Sequence, residues 1–400
     1  MNEQIKQRTA QLNNGEVPNG YEKTEIGTFP VGWKTTTLDE LLEFKNGVNA
    51  DKEKYNSGVK MISVMDILTD SPIYYDKIKG QVDIDKKTLG TYSVTYGDIL
   101  FQRSSETFED AGKSNVYLDQ DRTATYSGFV IRGKKKADYN PYFLNEALRI
   151  GQVRNQIIRN AAGSQHINVG QDSLAKIIVP LASDAEQSKI AEILMKWDEA
   201  IELEEQSIII LEVRKNSIMK RLLTPQEDWR YVLLGDICQI KTGRLDANAM
   251  DEDGIYPFFT CSKDIYRINQ YSFDCEALLI AGNGDIGDVK YYNGKFDAYQ
   301  RTYVMSEFTF NIKYVMQYLR LNFDKDVMKG MQKSSMPYIK LDLLKKAKIY
   351  YKVSAIESTV AILSIVDNEI ELHQLKLSEL KKQRKALQQY LLNGIVRVEV

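Results

Sequence analysis

The chain has 400 residues, 43% of them hydrophobic and 27% charged, which suffices for two or three domains with cores of their own. A formal charge of −2 excludes a strongly basic protein that would hold nucleic acid unaided. No run approaches the roughly 18 apolar residues of a membrane span, and the opening MNEQIKQRTAQLNNGE is too polar for a signal peptide, so a cytoplasmic protein is expected.

Residues 1–30 form a polar lead-in, in which Lys6-Gln7-Arg8 and Asn14-Gly15 echo Lys382-Gln383-Arg384 and Asn393-Gly394 near the other end. Residues 31–182 read as a first mixed module: short apolar runs such as Asp98-Ile99-Leu100-Phe101 suit strands, and Tyr139 to Arg159 suits one amphipathic helix. Across 183–225, Ile190, Leu194, Trp197, Ile201, Ile208, Leu211, Ile218 and Leu222 recur at steps of three, four or seven, the stripe of a long helix that Pro225 ends. Residues 226–352 repeat the mixed pattern, with Ala277–Ala281 strand-like and Ile312 to Met331 helical. In 353–400 a second stripe runs through Val360, Leu363, Val366, Ile370, His373, Leu377, Leu380, Leu387 and Leu391 until Gly394. Helices of about 40 residues span roughly 60 Å, more than a small domain needs. The two stripes are expected to bury each other as an antiparallel coiled coil that holds the modules at opposite ends. The competing arrangement packs each helix on its own module; length and polar outer faces argue against it.

The modules and helices are two copies of one plan. Gly32-Trp33-Lys34 with Leu38, Leu41, Phe44, Lys45 and Gly47 returns as Asp228-Trp229-Arg230 with Leu234, Ile237, Ile240, Lys241 and Gly243, at a shift of 196 (229 minus 33). In the helices, Trp197-Asp198-Glu199-Ala200-Ile201-Glu202 aligns with Val366-Asp367-Asn368-Glu369-Ile370-Glu371. The fold class is therefore α+β, with two mixed modules related by a pseudo-twofold axis and separated by two long helices. A long ligand with two addresses suits such an object.

Charge is unevenly spread. Asp184 to Glu212 carries nine carboxylates against Lys189 and Lys196, a net −7, which leaves +5 for the rest of the chain. That acidic segment reads either as a docking surface for a partner or as a solvated face. Basic patches on the modules remain compatible with DNA if other subunits supply further phosphate contacts.

Several motifs look chemical and are better read otherwise. Gly282-Asn283-Gly284-Asp285-Ile286-Gly287 matches a dinucleotide fingerprint, but strand-like Asp288 to Tyr292 follows where a helix is required, so a turn between two strands is expected. Gly112-Lys113-Ser114 lacks the first glycine of a P-loop, since Thr107 stands there. Asn140-Pro141-Tyr142-Phe143 lacks a proline of the amino-methyltransferase tetrapeptide. Glu379-Leu380-Lys381 is a nuclease-like E-x-K inside a helix, where an exposed face accounts for it. Three scattered cysteines (Cys238, Cys261, Cys275) and two histidines give little material for a metal site or a triad. His373, on the apolar stripe, is read as a satisfied interface histidine. No catalytic constellation emerges, and the expected role is recognition rather than catalysis.

The order of motifs resembles the specificity subunit of type I restriction-modification systems. It is carried by Gly32-Trp33-Lys34 with Leu38, Gly97 to Leu100, Gly163-Ser164-Gln165 leading to Ile177–Leu181, and Glu186-Gln187-x-Lys189-Ile190-Ala191 opening a long helix. The second copy has Ser334-Ser335-Met336-Pro337 for the Gly-Ser element and Asp367 for Asp198. The resemblance implies that each module reads one half of a bipartite double-stranded DNA site while the helices set the spacer. It also implies two methyltransferase subunits docked on the chain and two restriction or motor subunits joining them. S-adenosylmethionine would then lie on the methyltransferase partners, ATP and Mg2+ on the restriction subunits, and no cofactor or metal on this chain. Base readout favours Arg, Lys, Asn, Gln and Ser on loops. The candidates are Arg103, Ser104, Lys113, Gln165 and His166 in the first module, and Arg244, Asn283, Lys290, Arg301, Lys333 and Ser334 in the second. Partner or helix-helix contacts are assigned to Ile190, Leu194, Trp197, Ile201, Ile208, Leu211, Val360, Leu363, Ile370, Leu377 and Leu380. The alternative is a coiled-coil scaffold whose modules bind protein and do not read DNA.

Overall fold

A computed structural model of the chain describes residues 3–326 and 338–399. It separates into two compact units, Met1–Leu203 with Leu377–Val400 and Glu204–Lys376. Each unit takes one module together with a part of each long helix, so the helices form no separate body.

In the first unit, Leu42–Asn46, Val130–Lys135, Ile99–Gln102 and Ser114–Val116 form a four-stranded sheet in that order, with every neighbour antiparallel. All four residues of Ile99–Gln102 are buried, as a short unbroken apolar run implies for a strand covered on both faces. Lys34–Thr37 pairs with Ile178–Leu181 and so brings the start and end of the module together. Gly97 at φ +90 turns the chain into the central strand, and buried Asp98 accepts from the Thr95 and Lys135 amides at 3.0 and 2.9 Å. The Gly-Asp-Ile-Leu element is thus a turn with its own carboxylate lock. Burial pushes the Asp98 carboxyl above its ordinary range.

The second unit repeats this sheet. Gln239–Thr242, Thr302–Ser306, Phe273–Ala281 and Val289–Ala298 follow the same order, and Tyr256–Phe259 with Ile265–Ile268 extend the edge. Arg230–Leu233 pairs with Lys348–Tyr351, matching the ribbon of the first unit. Asn140 and Asn311 play one role in the two copies, each accepting at 3.0 Å from the backbone N–H three residues on to cap a helix, Pro141–Ala147 or Ile312–Asp326. The tetrapeptide that resembled a methyltransferase motif is a helix start. The single helix expected over Tyr139 to Arg159 is two, Pro141–Ala147 and Gly151–Arg159, because Ile150 takes an extended conformation ahead of Gly151. The end of the other expected helix, beyond Asp326, lies outside the described residues.

The long helices run Asp184–Leu223 and Ile356–Leu392. Within each unit they pair antiparallel: Arg384 Nε donates to Asp198 at 2.8 Å in the first, and Lys215 Nζ lies 2.5 Å from Asp367 in the second. These pairs are copies of one another, since 367 minus 198 and 384 minus 215 are both 169. Each aspartate also takes a bond from its module, from the Tyr142 hydroxyl and from Gln317 respectively. In the middle of the pair, Leu211 packs with Val366 and Ile370, and Glu204 accepts from Lys376 and pairs with His373 Nδ1 at 2.6 Å.

The helices pair antiparallel as expected, and their stripes also reach into the module cores. Ile190 and Leu194 lie in the first module's core with Trp33, Phe143, Leu391 and Leu392. Val360 and Leu363 lie against the second module's core with Met219 and Leu223. Trp197, Ile201, Leu377 and Leu380 are only half-buried, while Ile208 is buried. A module surface covers more of a helical stripe than one neighbouring helix can, and burial scales with apolar area. The start of the first helix shows how the Glu-Gln motif serves this docking: Glu186 accepts from Trp33 Nε1 at 3.1 Å and Arg397 Nε at 2.7 Å, while Gln187 bonds the Asn140 amide and the Ala182 carbonyl.

The lead-in folds as a helix, Glu3–Asn13, and a hairpin, Tyr21–Thr24 with Gly27–Pro30. Arg8 donates to the Ile395 carbonyl, the Tyr21 hydroxyl donates to the Gly394 carbonyl, and the Arg8 guanidinium lies 5.3 Å from the Tyr21 ring centre. A Cβ at Gly394, φ +64, would stand 2.3 Å from Pro30 Cγ, so only glycine lets the two ends approach this closely.

Candidate nucleic-acid interface

In the first unit the central strand ends in a backbone crossing. Arg103 N–H donates to Phe129 O at 3.0 Å, and its own carbonyl accepts from Val169 N–H at 3.0 Å. Gly47 N–H donates to Val130 O at 3.1 Å, and Val130 N–H to Ser127 O at 2.9 Å. A Cβ on Gly47 would lie 2.1 Å from Ser127 O, so the close approach requires glycine. Beyond the crossing, Ser104–Ser105 pairs with Ile167–Asn168, which sets Arg103 and Ser104 at one end of the ladder and Gln165 and His166 just past the other. Ser104 Oγ and Asn168 Oδ1 are 2.5 Å apart. The Gly-Ser element has a steric reason too, because a Cβ on Gly163 would stand 2.0 Å from His166 O.

The second unit has the same crossing. Gly282 N–H donates to Arg301 O at 2.8 Å, Ile339 N–H to Gly282 O at 2.8 Å, Gly243 N–H to Thr302 O at 3.2 Å, and Thr302 N–H to Tyr299 O at 2.8 Å. Beside it, Thr242, Gly282, Gln300, Arg301, Tyr303, Tyr338 and Ile339 line a cleft of about 470 Å3. Gly282 to Gly287 connects two antiparallel strands, as its strand-like flanks imply, with Gly284 and Gly287 at φ +67 and +90.

The candidates differ in how free they are. Arg103, Arg244 and Arg301 are exposed, and among the described residues none has an ion pair; Arg103 Nη1 has one long bond, 3.4 Å, to Gly128 O. Gln165 and His166 are exposed, and Asn283 is half-buried. Lys113 is paired with Asp110 at 2.5 Å, in a loop that Arg154 pins through the carbonyls of Glu109, Ala111 and Gly112. Lys290 Nζ is held by Asp288 and the Ser262 carbonyl, so its charge is spent inside the unit. Lys333 and Ser334 lie outside the described residues. Phe129, 67% exposed beside Arg103, is a surface residue that sequence reasoning misses, because an aromatic next to a strand reads in sequence as core.

The acidic segment is only partly a free face. Glu186, Asp198, Glu202 and Glu204 are engaged with Arg397, Arg384, Lys77 and Lys376, and Glu192 is drawn to about 2 by Lys196 and Lys189. Among their exposed charged residues the helices also expose apolar ones: Ile209, Ile210 and Val213 on the first, Ile362, Ile365, Leu372 and Leu375 on the second. Among the described residues no group of three His, Cys, Asp or Glu side chains could hold a metal ion, and no helix is long and apolar enough to cross a membrane.

Comparisons with known proteins agree with the duplication. The family model described as the type I restriction modification DNA specificity domain matches twice, over residues 30–213 and 226–382. The EcoDI specificity subunit of Escherichia coli is 46% identical over 113 residues, 28% of this chain and about a quarter (25%) of that protein's length. The putative MjaX specificity subunit of Methanocaldococcus jannaschii is 25% identical across 95% of this chain and 97% of its own. Among solved structures, a type I restriction-modification S subunit from M. genitalium aligns with a TM-score of 0.58 at 18% identity, covering 94% of this chain and 98% of the other. A chain from a study of complex assembly and conformational transition of the type I R-M system aligns at 0.54 and 14% identity, covering 92% and 99%. At such identities these two likenesses establish the two-module fold.

Proposed function

The chain belongs to the type I restriction-modification DNA specificity domain family, whose model covers both modules, and from that membership we propose that it recognises a bipartite DNA sequence, one module to each half. The observation that carries the reading is the doubled crossing: two modules present the same hydrogen-bonded strand end, with exposed arginines and polar loops whose chemistry suits phosphates and base edges. The chain itself supplies recognition. Chemistry would come from methyltransferase subunits carrying S-adenosylmethionine, two to each chain, and from restriction subunits using ATP and Mg2+. The exposed apolar side chains of the long helices suit the docking of the methyltransferase subunits, since a patch of this kind marks a protein interface. Partners that enclose the duplex would also account for a DNA-reading chain with a formal charge of −2.

The test is a single-molecule methylome of cells co-expressing this chain with its methyltransferase subunit. A two-part motif with adenine methylated in both halves is expected. Replacing residues 31–182 by a foreign module should then change one half only; a change in both halves would sink the assignment of one module to each half-site.

A further inference from the structure

The two crossings share a backbone and differ in their side chains. Where the first unit has Arg103, Phe129, Val169 and Gly47, the second has Gly282, Arg301, Ile339 and Gly243, each in the same hydrogen-bond role. Two copies that must read different bases need a constant scaffold with exchangeable side chains, because discrimination depends on holding a donor or acceptor in place against one base edge.

The side chain that can do this differs between the copies. At position 103 an arginine extends from the crossing, exposed, with one long backbone bond to Gly128 O at 3.4 Å. At the equivalent position 282 a Cβ would stand 2.5 Å from Arg301 O, so that position is closed to a side chain in this backbone. The residue just before the neighbouring strand takes its place: Arg301 is exposed beside the cleft and makes no side-chain bond among the described residues. By contrast, the ammonium groups of Lys113 and Lys290 are neutralised by Asp110 and Asp288. A guanidinium with most or all of its donors unfilled, on a hydrogen-bonded backbone, matches the paired acceptors N7 and O6 of guanine. Resting on the DNA-reading function set out above, we propose that Arg103 and Arg301 are the guanine-reading residues of the first and second half-sites, with Phe129 making the apolar base contact beside Arg103.

The experiment uses the complex of the full chain with its methyltransferase subunit. Labelled duplexes carry the two-part motif found in the methylome, or that motif with one base pair substituted at a time. The unsubstituted complex should prefer a G·C pair at one position in each half. Arg103→Ala should flatten that preference by roughly ten- to a hundredfold at one position of one half only, and Arg301→Ala should do the same in the other half. Arg103→Lys, which keeps the charge but not the fork, should lose most of the preference as well. Equal weakening on every duplex, with a salt slope lower by about one, would make these arginines phosphate contacts and overturn the proposal. Unchanged preferences would overturn it too. A complex with no two-part motif would instead remove the DNA-reading function on which the assignment rests.

Discussion

Gly47 and Gly243 are legible in the sequence as a repeated position and illegible as to purpose. What makes them glycine is a neighbouring carbonyl oxygen, 2.1 Å from a Cβ at 47 and 1.8 Å from one at 243, and that neighbour is some 55 to 80 residues away in the chain. Gly47→Ala and Gly243→Ala are each expected to lower stability by about 2–4 kcal/mol, read as an earlier urea midpoint; an unmoved midpoint would mean that the loop can step aside. Arg384 stands out in the sequence only as part of an echo of the N-terminus. It proves to bridge Asp198 and Glu146, at 2.8 and 2.7 Å, with its own side chain 12% exposed. Arg384→Ala leaves two carboxylates without it and should cost about 2–4 kcal/mol, less where Arg149 still serves Glu146. The free arginines of the crossings are recognisable as candidates from their type and loop context, whereas the capture of Lys113 and Lys290 by near neighbours depends on side-chain geometry that spacing does not encode.

The long helices are the easiest elements to read, because an apolar stripe kept over ten turns is produced by little besides a continuous helix. How the stripe is buried is harder, since the same spacing suits a module or a second helix. The pairing has a pH signature at its middle. Lys376, with His373 also bonded, holds the Glu204 carboxyl below the ordinary carboxylate range. A carboxyl so depressed stabilises the fold above the unfolded value near 4.5, and the contribution fades as pH falls through the lowered value. The stability gap between the parent chain and Glu204→Gln should therefore be widest at neutral pH and shrink in acid; a gap independent of pH between 7 and 3 would show that the bonds, not the charge, matter. The outer surface makes a second prediction. Ile365→Asp with Ile210→Asp places charge on the exposed apolar strip without touching a core residue, and should abolish co-purification with the methyltransferase subunit while leaving the circular dichroism of the chain intact. As a spacer, the helix pair should also shorten the gap between half-sites: matched deletions of about four residues remove roughly 6 Å, close to two base pairs at about 3.4 Å each. A methylome gap that does not move would refute the ruler.

At the scale of the molecule, the repeat is visible from a Trp and a handful of leucines, and the matching strand order of the two sheets is its structural counterpart. The echo between the lead-in and residues 382–394 hints at a relation between the two segments but not at the contacts they make. Arg8 and Tyr21 bond the carbonyls of Ile395 and Gly394, Asn393 accepts from Gln152, and Gly394 nests on Pro30. Residues near the two ends of the sequence are thereby held in one unit, and a link between them would close the chain into a ring. A ring has no first module. Cutting it instead at Pro225 and bridging the old extremities with a short glycine-serine link should yield a chain that, with its methyltransferase subunit, directs methylation to the same motif, although residues 226–400 would then be translated before residues 1–225. The order in which a gene spells the two half-sites is, on this architecture, a matter of where the circle happens to be opened.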